Sequence, residues 1–155
     1  MTEAVPAGRY GRAAMEVRPA RDSHEVDQAL RLRERVFCGE QGVTPAAERD
    51  GRDGAALHLV AVDEGVVVGT CRLTFSGRVG SLGRLAVDRG HRRRGIGAEL
   101  VAESERAARV EGARRIALHA EVGARGIYDA AGYVQLGEPF VEEGIDHVTM
   151  EKQLA

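Results

Sequence analysis

Cysteine is scarce in this sequence. Cys38 and Cys71 are the only two, and neither they nor the five histidines stand at metal-site spacing. A disulfide scaffold is therefore excluded, and no metal is expected. Long hydrophobic runs are also missing: none approaches the roughly 20 residues that a membrane-spanning helix requires, so no membrane partner is expected. The chain does not open with a basic stretch followed by an apolar one, the pattern of an export signal, and a reducing cytoplasm is the expected location. A strong charge of either sign is lacking as well. The net charge of −2 gives no global reason to expect a nucleic-acid partner.

The chain does have the composition of a folded globular protein, with 43% hydrophobic and 30% charged residues among 155. Residues 1–14 lack periodicity and are expected to be a disordered tail, with Met15 a candidate natural start. Residues 15–155 are expected to form a single domain. The charge is unevenly placed. Arg89, His91, Arg92, Arg93 and Arg94 crowd one segment, while Glu40, Glu48, Asp50 and Asp53 form an earlier acidic one. Such a division suits a polyanionic ligand beside a cationic or polar one, although two solvated loops would look the same.

Periodicity predicts an α/β domain around a mixed sheet, in the order β-α-β-β-β-α-β-α-β-β. Met15–Arg18 reads as a first strand. Asp22 or Ser23 caps a helix to about Phe37, with Val26, Leu30 and Phe37 inward and Arg31, Arg33 and Glu34 mostly outward. A long loop from Cys38 to Ala55 follows, of a length often reserved for function. Leu57–Val62 and Val66–Thr74 are β-branched runs around the hairpin signal Asp63-Glu64-Gly65. In a strand over Val79–Val87, simple alternation puts Leu82, Arg84 and Ala86 on one side and Gly83, Leu85 and Val87 on the other. A helix from Gly95 or Ile96 to Glu111 is closed by Gly112. Strand Arg115–Ala120, helix Ala124–Ala131 and strands Tyr133–Phe140 and His147–Lys152 complete the chain.

The most informative stretch runs from Leu82 to Leu100. A strand enters the basic loop Asp88–Arg94, and the loop enters a helix that starts on Gly95-Ile96-Gly97. Glycines there clear side chains from the free backbone N–H groups of a helix start, which together with the helix dipole favour an anion. The pattern is a pyrophosphate cradle. A dinucleotide loop is disfavoured because Leu100 stands where a third Gly or Ala is needed and the next strand does not end on a ribose-binding acid. A Walker loop is excluded, since no Gly-Lys-Ser/Thr follows.

These residues resemble a known family. Arg92-x-x-Gly95-x-Gly97, preceded by Leu85-Ala86-Val87, is similar to the GNAT signature Gln/Arg-x-x-Gly-x-Gly/Ala. The element order is also that of the superfamily from Met15 to Gln153. Within it the chain looks like the ElaA/YjcF-type branch. The segments that carry this likeness are Leu32-Arg33-x-x-Val36-Phe37-x-x-Glu40-Gln41-Gly42-Val43, Glu48-x-Asp50 with Asp53, and His58-Leu59-Val60-Ala61. Gly137-Glu138-x-Phe140-x-Glu142-x-Gly144-Ile145-x-His147-Val148-x-Met150 adds to it near the end.

The resemblance implies a GNAT fold, a mixed central sheet with a splayed strand pair flanked by helices. It implies acetyl-CoA as co-substrate, without a metal. Backbone groups from Arg93 through Gly95, Ile96 and Gly97 to Ala98 would hold the pyrophosphate, with Arg92 and Arg94 near phosphates. The edge Leu85, Ala86, Val87 would pair with the pantetheine arm. Tyr128, in Ala124-x-x-x-Tyr128-x-x-x-Gly132-Tyr133, resembles the family's leaving-group acid, and the N–H of Leu85 or a neighbour the oxyanion donor.

The base stays open between Glu121, Glu48, Asp50, His58 and a water wire. Glu121 departs from the Asn of many relatives and the Gln frequent in this branch. Glu40, Gln41, Glu48, Asp50, His58 and Arg84 are the expected acceptor-binding residues. The implied activity is direct transfer of acetyl to the primary amine of a small polar molecule. A protein lysine or N-terminal acceptor, an idle acyl-CoA sensor and an acyl-Cys38 route are the alternatives. Dimerisation through the last strands, over Phe140–Met150, is implied in the same way.

Overall fold

The computed structural model describes residues 15–154, so the tail expected over 1–14 lies outside the described residues. Its strands are β1 (Met15–Pro19), β2 (Leu57–Asp63), β3 (Val66–Ser76), β4 (Val79–Val87), β5 (Arg115–Glu121), β6 (Val134–Glu142) and β7 (Ile145–Gln153). They form one seven-stranded sheet in the order β1-β2-β3-β4-β5-β7-β6. Every neighbouring pair is antiparallel except β4 and β5, which run parallel. The helices are α1 (Ser23–Arg33), α2 (Pro45–Glu48), α3 (Ile96–Val110) and α4 (Gly126–Ala130).

Local chemistry explains most of these bounds. Asp22 caps α1 by accepting from the Glu25 N–H at 2.9 Å. The β2–β3 turn places Glu64 and Gly65 at φ 51° and 82°, the left-handed pair that a two-residue hairpin requires. Glu143 and Gly144 do the same between β6 and β7, at φ 51° and 75°. That hairpin therefore extends past the expected ends at Phe140 and His147: Val141 pairs with Asp146 and Glu142 with Ile145. The expected loop Cys38–Ala55 is more structured than its glycines suggested. α1 runs on into a wider π turn over Glu34–Glu40, and α2 is capped by the Thr44 hydroxyl.

Each face of the sheet carries its own core. Leu59, Ala61, Leu73 and Leu82 pack under Ile96, Leu100, Val101 and Ala108 of α3. Val60, Val62, Val67 and Ala86 pack under Ala29 and Leu32 of α1 and Val36 of the π turn that follows it. Because Leu82 and Ala86 lie on opposite faces, simple alternation along β4 fails. Thr70 pairs with Ala86 but Arg72 pairs with Gly83, so β4 holds one extra residue there, with Arg84 at φ 54°. A bulge of one residue reverses every later side chain, which alternation alone cannot anticipate. A second correction concerns α1: Arg33, expected outside, is 1% exposed and lies among ionic partners. Among the described residues no helix is long and apolar enough to cross a membrane.

Close seating of α3 depends on Gly69 in β3. A Cβ there would lie 2.9 Å from Ile96 Cγ2, 3.1 Å from Leu100 Cδ1 and 3.3 Å from Ala61 Cβ. Gly69→Ala is expected to destabilise the protein by about 1–3 kcal/mol through overpacking, read as a lower urea midpoint; an unchanged midpoint would show that the first turn of α3 can ride up freely.

Candidate active site

β4 and β5 pair only from Val79–Leu82 against Arg115–Leu118. Past that point each follows its other neighbour: β4 stays with β3 as far as Val87, and β5 stays with β7 as far as Glu121. The strands part, and the edge of β4 from Gly83 to Val87 borders an opening. A cleft of about 620 Å³ occupies it, lined among others by Leu85 of β4, Glu121 of β5 and Tyr128 of α4. This is the splayed pair that the sequence resemblance implied.

A second cavity of about 300 Å³ lies beside it, lined by Val87, His91, Arg92, Arg93, Gly95, Ile96, Gly97, Ala98 and Ile127. It sits at the N-terminus of α3. The first intrahelical bond runs from the Glu99 N–H to the Gly95 carbonyl, at 3.1 Å. The N–H groups of Ile96, Gly97 and Ala98 therefore have no acceptor within the helix. Gly95 caps the helix at φ 80°, and Arg93 just before it is also left-handed, at φ 66°. At Gly97 a Cβ would lie 2.8 Å from Ile127 Cδ1, so a side chain there would have to push that methyl aside. Free N–H donors, a dipole end and an arginine-lined cavity fit a pyrophosphate.

Seven of the expected coenzyme-side residues are thus together: Val87, Arg92, Arg93, Gly95, Ile96, Gly97 and Ala98. Arg94 is exposed and does not line the cavity. The Ala86 side chain turns into the α1 core, which leaves only its backbone for a ligand. Arg92 is already engaged, with Nε 2.9 Å from the Val87 carbonyl and Nη1 2.9 Å from Glu40. That ion pair draws Glu40 toward Arg92 beside the second cavity, and Glu40, expected to bind the acceptor, does not line the larger cleft.

The acidic segment also departs from expectation. Glu48, 2% exposed, meets Arg33 Nε at 2.6 Å and Arg84 at 3.4 Å. Asp53 bridges Arg33 at 2.7 Å and Arg72 at 2.9 Å, and Asp50 binds both Arg72 and Arg84. The Arg72 hydrogen bond holds Asp50 well below the usual carboxylate range. Burial works to raise Asp53, but Arg33 and Arg72 outweigh it and keep it low. Three arginines thus neutralise the loop, whose Glu48 and Asp50 border the cleft as clamped anions and not as a free negative pocket. Arg84 also donates to the Ala47 and Glu48 carbonyls, at 3.1 Å each, and so ties the β4 bulge to this loop. His58 is buried on β2, with Nε2 3.0 Å from the Asp53 carbonyl, and is outside the cleft lining.

Tyr128 is 8% exposed, packs edge-on against Tyr133 with centroids 5.9 Å apart, and faces the cleft. Burial, then the proximity of Cys71 and Glu121, pushes its hydroxyl well above the usual tyrosine range, so it stays protonated as a donor must. Gln41 lines the cleft as expected. Cys38 does not resemble an activated nucleophile: burial first, then Glu48 and Glu34, raise its thiol instead of lowering it.

Sequence reasoning assigned no role to a cluster on the opposite wall. His119, Glu142 and His147 line the cleft there, with His119 Nδ1 3.4 Å and His147 Nε2 3.8 Å from the same Glu142 oxygen. The signal lay in strand alternation. His119 and Glu121 share one face of β5, and Glu121 pairs directly with His147 on β7.

The family model described as Acetyltransferase (GNAT) domain matches residues 21–154. The N-acetyltransferase YjcF of Bacillus subtilis, itself uncharacterised, is 33% identical over 134 residues, or 86% of this chain and 96% of its own. A candidate N-acetyltransferase from Lactobacillus plantarum has a crystal structure that superposes with a TM-score of 0.85 at 28% identity, covering 92% of this chain and 99% of that one. Escherichia coli ElaA shares the fold, with a TM-score of 0.79 at 22% identity and coverage of 89% and 99%.

Removing the buried cation of the acidic loop leaves Glu48 without its closest partner. Arg33→Ala is expected to lose about 3–5 kcal/mol at neutral pH. In the wild type, Asp53, which Arg33 helps to hold low, contributes stability that is full above the ordinary carboxylate range and is lost as pH falls from that range through its lowered value. The gap between wild type and variant in urea midpoint should therefore narrow from pH 7 to pH 3; a gap constant with pH would count against the network.

Proposed function

The chain belongs to the GNAT acetyltransferase domain family, and from that premise we propose that it transfers an acetyl group from acetyl-CoA to the primary amine of a small polar molecule by direct attack. The observation that carries this reading is the juxtaposition at the strand parting. An open β4 edge, a glycine-cleared helix start and a protonated, buried Tyr128 converge on adjoining cavities.

Arg93, Gly95, Ile96, Gly97 and Ala98 would hold the pyrophosphate through the backbone of the α3 start, and the β4 edge would pair with the pantetheine amides. The bound thioester supplies the acyl group. The chain's own contributions are the Leu85 backbone N–H toward the developing oxyanion and the Tyr128 hydroxyl toward the departing sulfur. Arg92 and Glu40 position the phosphate loop through their mutual bond.

A cationic acceptor is supported differently from the sequence expectation. Glu48 and Asp50 are neutralised by arginine, so the attraction falls to Glu121, Glu142 and Glu143 on the far wall of the cleft. Two copies pairing through β6 is part of the same reading. This strand forms one edge of the sheet and leaves Val134, Leu136 and Val141 exposed at 61%, 45% and 68%.

Thiol release from acetyl-CoA across a panel of amines tests the activity. Wild type should release thiol only with an amine present, and Tyr128→Phe should lose roughly 100-fold in kcat while still binding acetyl-CoA by calorimetry. Undiminished release in the variant would remove Tyr128 from the chemistry. For the assembly, light scattering should give twice the 16.6 kDa chain mass, falling to one chain in Leu136→Glu; a monomeric wild type would refute pairing.

A further inference from the structure

Building on the transferase reading, we infer that His147 is the general base that takes a proton from the acceptor ammonium. Its Nδ1 lies 2.7 Å from the Ile145 carbonyl oxygen. A carbonyl can only accept, so Nδ1 carries the hydrogen, and the neutral ring presents Nε2 as a bare lone pair. The ring is held in that orientation, stacked on Phe140 with centroids 5.9 Å apart and planes at 24°. His147 lines the same cleft as Tyr128 and Glu121.

The groups that face it come from three places. Glu142 of β6 lies 3.8 Å from Nε2, His119 and Glu121 stand on β5, and Glu143 sits at the hairpin turn. Glu142 offers a carboxylate oxygen to a proton leaving Nε2, and His119, 3.4 Å from the same oxygen, extends the path outward.

The other base candidates are less suited. Asp50 is bound by Arg72 and Arg84 and pulled low, which makes it a weaker base. Glu48 is clamped by Arg33, and His58 lies outside the cleft. Glu121 also lines the cleft, but a carboxylate is by its chemistry a weaker base toward an ammonium than an imidazole nitrogen.

The proton balance closes. One proton passes from the ammonium to Nε2 and on to solvent, which frees the nitrogen lone pair to form the C–N bond. The C–S bond then breaks and sulfur keeps its electron pair. Nitrogen gives its second proton to solvent, Tyr128 protonates sulfur and is reprotonated from solvent, so each turnover releases one proton net.

Two measurements test the assignment. Long-range proton–nitrogen NMR on the free protein, independent of activity, should show His147 with Nδ1 protonated and Nε2 bare above its titration; the opposite tautomer would overturn the role. In kinetics, His147→Gln should reduce kcat/KM for the amine about 100-fold or more at pH 7, with acetyl-CoA affinity unchanged. The deficit should shrink toward pH 9.5 as the ammonium loses its proton to solvent unaided, which a packing defect would not produce. Glu142→Gln, at an exposed site, guards against a His147 variant that fails to fold. By removing the carboxylate through which the proton leaves Nε2, it should lower kcat/KM for the amine at pH 7 with acetyl-CoA affinity unchanged, and an unaltered kcat/KM counts against the inference. An active wild type with an unchanged His147→Gln profile overturns the base alone, whereas a wild type that transfers to no amine overturns the transferase reading and the base with it.

Discussion

The parting of β4 from β5 beyond Leu82 is the constraint on which the rest of the molecule depends. Two parallel strands in mid-sheet would ordinarily stay hydrogen-bonded, because an unpaired backbone group away from water costs as much as a lost hydrogen bond. Here each strand keeps its other neighbour, so the opening exposes one edge of each without unravelling the sheet. The bulge at Arg84 stands just past the last shared pair and turns Leu85 and Val87 toward the α3 side. The strand edge and the phosphate cradle thereby come to adjoin the same helix start.

Holding such an opening requires bracing from both sides. On one side the arginine–carboxylate network fastens the loop after α1 to β3 and β4. Arg33 and Glu48 are both almost fully buried, and every charge in that cluster has a partner of opposite sign. Burying charge is expensive, and losing one member costs more than the pair contributes. The network is therefore better understood as a fixer of geometry than as a source of stability. On the other side the β6–β7 hairpin, pinned by its left-handed Glu143-Gly144 turn, presents Glu142 and His147 to the cleft.

The element order and the glycine-opened helix start were legible in the sequence because each depends on local spacing, whereas Tyr128 was marked by family likeness. The parting of the strands was legible only through family likeness. What escaped was set by tertiary pairing. Helical periodicity assigns a charged residue to solvent, so Arg33 was placed outside, when its partners lie 15 and 20 residues further along the chain. For the same reason an acidic segment looked like a pocket for cations, although its neutralising arginines come from α1, β3 and β4. The β4 bulge defeated alternation because one extra residue is invisible until the partner strand is known. His147 carried a motif match but no role, since its meaning depends on the Ile145 carbonyl beside it and on Glu142 across the hairpin.

On the proposed reading, the donor half of the site would be built mainly from main chain, namely the N–H groups at the start of α3 and the exposed edge of β4, and the acceptor half from side chains on a loop, a strand end and a hairpin. Main-chain groups survive almost any point mutation that preserves the fold, and side chains do not. Descendants of such a scaffold can therefore drift toward new acceptors while the handling of the shared coenzyme stays intact. A lineage could diversify its amines through substitutions at positions such as Glu121, Glu142 and His147 without rebuilding the part of the molecule on which all members depend.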